Sequence, residues 1–128
     1  MSATEINTRR FWLLVIYVGG VFAIIVTHVL RDHRLQGPAA TLVLGSLPNF
    51  VAAASAPALI MCWRRRHIGI ASGLIGALLA QVLVLGWEFA QLARPAMVFD
   101  TNDIVATLLG GLAWALVWPG LDRSLPAA

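Results

Sequence analysis

The chain has 128 residues, of which 59% are hydrophobic and 12% charged, and its mean hydropathy is +0.82. Nine basic and six acidic side chains cannot coat the outside of a soluble domain of this size, so a water-soluble fold is excluded and the apolar residues face lipid. The net charge of +3 comes from arginines placed between apolar runs, a pattern of membrane topology that excludes nucleic-acid binding.

A hydrocarbon core about 30 Å thick takes about 20 helical residues at 1.5 Å rise each. Four uncharged runs approach that length, and together they predict an all-α, polytopic membrane protein of four transmembrane helices in one domain spanning 1–128. The first runs from Phe11 to Leu30, between Arg9–Arg10 and Arg31, and lacks the small-residue exit of a cleavable signal. The second, Ala39 to Trp63, contains Pro48 and Pro57 and is expected to be an interrupted or kinked helix. The third, Ile68 to Phe89, follows the Arg64–Arg65–Arg66 block. The fourth, from about Ile104 to Trp118, is expected to be capped by Asp100, with Asp103 in its first turn.

Arginines accumulate in short cytoplasmic loops. Placing the N-terminus inside puts Arg9, Arg10, Arg64, Arg65, Arg66 and Arg123 on the cytoplasmic side, against Arg31, Arg34 and Arg94 outside. Both termini are therefore expected inside, with the chain in the plasma (inner) membrane. Gly69 and Gly73 form a small-xxx-small pair that suits close packing, either within the chain or between copies in a homo-oligomer. The tryptophans are expected near helix ends, where the interface favours indole, with Trp114 alone a candidate for greater depth. His28 reads as an interfacial or hydrogen-bonded residue in preference to a metal ligand.

An ionised side chain at the bilayer centre costs about 3 kcal/mol on insertion scales, so an acid in a membrane span needs a partner or a task. Glu88 is such an acid. Steps of seven and three residues put Gln81, Glu88 and Gln91 on one helix face, and this stripe leads through Arg94 to Asp100 and Asp103. On the fourth run Asp103, Thr107, Gly110 and Trp114 share a face. A helical hairpin would therefore gather Glu88, Gln91, Arg94, Asp100 and Asp103 near the outer surface. If Pro48 opens the second helix, Asn49 and Ser46 would point into the same cavity as Gln81 and Glu88. Taken singly, Asp100 and Asp103 also read as ordinary helix caps, and Arg94 as topology glue.

The segments Trp87-Glu88-Phe89-Ala90-Gln91, Phe99-Asp100-Thr101-Asn102-Asp103-Ile104 and Leu108-Leu109-Gly110-Gly111 resemble the acidic hairpin of the VanZ-like family of small membrane proteins. Glu88, Gln91, Asp100, Asp103 and Gly110 match its pattern. Met97 stands where the family has a loop arginine, Arg94 coming three residues early, and Thr107 stands where it has an asparagine. The resemblance implies a polar membrane hairpin and no particular reaction.

Three functional classes follow. The first is a non-enzymatic protein whose outward-facing hairpin binds an envelope lipid headgroup or a partner protein, with Arg94 as the anion contact. The ligand-binding set would then be Asn49, Gln81, Glu88, Gln91, Arg94, Asp100 and Asp103. The second is an enzyme acting on an envelope lipid or precursor, with Glu88 or Asp103 as acid/base and a cation held by the carboxylates. The third is a transporter or channel, which with four helices would have to oligomerise. The single cysteine excludes a cysteine-based zinc site, no nucleophile-base signature is found, and no cofactor is expected.

Overall fold

The computed structural model describes residues 3–32, 37–63, 70–93 and 100–124, and these form four helices. They are α1 (Ala3–Asp32), α2 (Pro38–Trp63), α3 (Ile70–Gln91) and α4 (Thr101–Ser124). Each is long and apolar enough to cross a membrane, and the chain is built as a multi-pass membrane protein. The 22 residues of α3 rise about 33 Å, a match to the hydrocarbon core. Large apolar side chains such as Phe22, Leu78, Leu83 and Leu116 point outward, as lipid contact requires.

Helix α2 is the hub. It packs against α1, α3 and α4, and α3 packs against α4, whereas α1 makes no close backbone approach to α3 or α4 among the described residues. A gap therefore flanks α2 between α1 and α3. The interfaces are set by small residues that admit a neighbour where a Cβ would not fit. A Cβ on Gly20 would strike the Ser55 side chain, joining α1 to α2, and one on Gly110 would strike the Phe50 carbonyl, joining α4 to α2. A Cβ on Gly73 would strike the Trp118 indole, joining α3 to α4.

Three expectations change. The interruption of the second span is not observed: α2 is one helix with Pro48 and Pro57 inside it. Each proline withdraws one N–H donor, from the carbonyls of Leu44 and Ala53, and the hub position of α2 holds the helix together across both. Helix α4 begins near Asp100 and runs beyond Trp118 and Pro119 to Ser124, well past the expected stretch. Trp118 is not an interfacial residue but a fully buried one, stacked on Trp114 with ring centroids 5.3 Å apart. With Leu13, Ala58, Met61 and Ala77 the two indoles fill one end of the bundle, and Trp114 Nε1 donates to the Gly73 carbonyl at 3.2 Å. Gly73 is therefore used within the chain, one of the two packing roles expected for it, while Gly69 lies outside the described residues.

At that same end the Arg9 guanidinium bridges α1 to α4. Its Nη1 lies 2.8 Å from Asp122 Oδ1, and Nη2 donates to the Asp122 carbonyl at 3.3 Å. This fork ties together two helices whose backbones do not approach closely, beside the packing of Leu13 with the two indoles.

Candidate functional site

The gap between α1 and α3 opens, at the opposite end, into a cleft of about 450 Å³. Its floor is α2, through Gly45, Pro48, Asn49 and Ala52. One wall is α1, with Ile24, His28 and Arg31; the other is α3, with Trp87, Glu88 and Gln91, and Asp103 enters from α4. Glu88 and Asp103 meet because α3 ends and α4 begins here, so the hairpin brings their termini to one level.

Glu88 is 1% exposed. Its Oε1 accepts a hydrogen bond of 3.0 Å from Asn49 Nδ2, while Oε2 is buried with no protein partner. The Gln91 amide lies beside the same carboxyl, and Ser46 and Asn49 both lie beside Asp103. Asn49 thus stands between two acids. A buried carboxylate oxygen without a donor is costly, and it marks a place where a proton or a cationic ligand completes the site. Arg31 and His28 bring basic groups to the facing wall. His28 Nδ1 is paired with the Ile24 carbonyl at 2.9 Å, in keeping with the hydrogen-bonded reading, and leaves Nε2 available to the cleft.

Gly45 adds a further feature. Nothing lies within 4 Å of a Cβ built on it, so its small size serves no helix contact. Glycine within a helix costs about 0.5–1 kcal/mol relative to alanine. Here it keeps the cleft floor clear.

Of the seven expected ligand residues, Asn49, Glu88, Gln91 and Asp103 line the cleft. Gln81 does not: its amide is seated deeper, over Gly111, where Nε2 donates to the Thr107 carbonyl at 2.9 Å and Oε1 is unpartnered. Asn49 therefore pairs with Glu88, and the expected juxtaposition of Asn49 with Gln81 is replaced by two separate polar contacts, one above the other. Asp100 is exposed and serves as the cap of α4, its Oδ1 accepting from the Asn102 backbone and side-chain nitrogens, each at 2.9 Å. Arg94 lies outside the described residues; among the described residues Arg31 brings a guanidinium to the cleft. Arg31 and His28 were missed because they come from α1, whose rotational register on α2 is fixed by the Gly20–Ser55 contact.

The hydroxyls of Thr27, Ser55 and Thr107 each donate to the carbonyl four residues earlier, a local helix contact and not an activated nucleophile. Among the described residues no three His, Cys, Asp or Glu side chains are grouped to hold a metal ion. Deeper in the bundle than the cleft lie the Gln81–Thr107 contact and the two stacked indoles. Compared with known proteins, the chain matches no family model, no curated protein and no solved structure.

Proposed function

We propose that this chain is a non-enzymatic protein of the plasma membrane that holds the polar headgroup of an envelope lipid in the cleft between α1 and α3. The observation that carries the reading is the free Oε2 of Glu88, buried in a polar cleft that also presents Arg31 and His28. A lipid enters such a site sideways, because the gap between α1 and α3 continues along apolar helix faces that accommodate acyl chains. The headgroup then takes the charged part of the cleft and the chains stay in hydrocarbon.

The arginine distribution supports both termini inside, which sets the cleft toward the outer leaflet. The VanZ-like pattern of Glu88, Gln91 and Asp103 supports the same placement, since these are the hairpin residues that reach the cleft. Trp87, 53% exposed on the cleft wall, suits the headgroup level of a bilayer.

Retention of phospholipid through purification, read by native mass spectrometry, tests this function. The wild-type chain is expected to keep one lipid per copy, and Gly45→Phe, whose Cβ meets nothing within 4 Å and whose ring fills the cleft, is expected to lose it, with helix content checked by circular dichroism. Equal retention by the two would contradict a headgroup in this cleft.

A further inference from the structure

The cleft carries both signs of charge, and its unmet group is an acceptor. Glu88 and Asp103 are acidic, Arg31 is basic, and all three line one space of about 450 Å³. The Asn49 amide is committed to Glu88 Oε1 and to the neighbourhood of Asp103, and Oε2 has no hydrogen-bond partner even with the Gln91 amide beside the carboxyl. A purely anionic headgroup would pair with Arg31 but would meet two carboxyls and leave Oε2 without a donor. A quaternary ammonium would answer the charge but has no N–H to give. A primary ammonium answers both needs, through charge-assisted N–H···O bonds.

The geometry points to a primary amine beside a phosphate as the ligand chemistry, with the ammonium on Glu88 Oε2 and the phosphate on Arg31, hence an aminophospholipid of the phosphatidylethanolamine type. This specifies the lipid and rests on the headgroup-binding reading above. The carboxyls do the selecting. Arg31 alone would accept any phospholipid, since all present a phosphate to a guanidinium.

Purified protein in detergent, offered equimolar phosphatidylethanolamine, phosphatidylcholine and phosphatidylglycerol of identical acyl chains, tests the inference by native mass spectrometry. Wild-type protein is expected to retain the ethanolamine lipid at least about tenfold over the other two, the scale set by one charge-assisted hydrogen bond. Glu88→Gln keeps an acceptor for Asn49 and is expected to bring that preference near unity while lipid is still bound. Should this variant misfold, stepwise N-methylation of the lipid amine gives the same comparison without a mutation, and retention should fall at the trimethyl stage. Equal retention of all three lipids by the wild type would overturn the amine assignment and leave headgroup binding standing; retention of none would overturn both. Free phosphoethanolamine distinguishes a soluble ligand from a lipid. Failure to displace the bound lipid supports the lipid, and displacement at equal concentration would overturn it.

Discussion

Asn49 Nδ2 donates to Glu88 Oε1 at 3.0 Å, fastening the middle of α2 to the end of α3. Glu88 is 1% exposed and its Oε2 has no protein partner, so this bond and the neighbouring Gln91 amide are what its buried carboxyl has to offset desolvation. Asn49→Ala is therefore expected to destabilise the bundle by about 1–2 kcal/mol, between the mean for membrane hydrogen bonds and that for bonds to charged groups. Glu88→Gln should cost less, because its amide oxygen still accepts. Unfolding in mixed micelles measures both, and a larger loss for Glu88→Gln than for Asn49→Ala would count against the pairing.

The glycines divide into two groups with opposite expected responses to alanine. At Gly110 the added Cβ would strike the Phe50 backbone carbonyl, which cannot step aside, so Gly110→Ala should destabilise by about 1–3 kcal/mol. At Gly86 and Gly45 nothing lies within 4 Å, so alanine should stabilise by about 0.5–1 kcal/mol through reduced backbone freedom. Thermal unfolding of the three single variants gives the order directly. A neutral Gly110→Ala would mean that α4 and α2 sit farther apart.

The Arg9–Asp122 fork joins α1 to α4 with both side chains largely buried, at 14% and 17% exposure. Arg9→Gln and Asp122→Asn are each expected to cost about 1–2 kcal/mol, and the double variant little more than either alone. Additive losses would show that the two groups act independently. Since α1 closely approaches only the α2 backbone among the described residues, loss of the fork should also loosen α1, seen as faster proteolysis near Arg9.

The placement of six arginines against three predicts both termini inside. A phosphatase that matures only outside the cytoplasm should be inactive when fused after Ala128, and one inserted beside Arg31 should be active. The reverse pair of results would turn the cleft to the inner leaflet.

How much of this was legible in the residues depends on chain separation. Glu88 and Asp103 lie on adjoining helices that share one short connection, so helical spacing alone brings them to one end. Spacing also puts Gln81 on the Glu88 face, but a face does not give a depth. Two turns lower, Gln81 finds the Thr107 carbonyl over Gly111 instead of the cleft. Trp118 followed the interfacial preference of indole on paper, yet the space above Gly73 draws it into the core. Arg31 reads only as an outside charge and His28 as an interfacial or hydrogen-bonded residue, because nothing in their own segment fixes which way α1 rotates. That angle is set by Gly20 against Ser55, a pairing separated by most of two helices. Proline statistics likewise predict breaks in α2, whereas contact with all three other helices keeps it whole.

The central claim, a lipid headgroup held between α1 and α3, is tested most directly by photocrosslinking on α3. Trp87 lines the cleft, while Phe89, also exposed, lies about 200° around the same helix at nearly the same depth. A benzophenone amino acid at each position, with phosphatidylethanolamine labelled in its headgroup, separates a bound lipid from bulk bilayer. Strong labelling from position 87 that Arg31→Gln abolishes, with weak and unchanged labelling from position 89, is the expected result. Equal labelling from both positions, indifferent to Arg31→Gln, would contradict it.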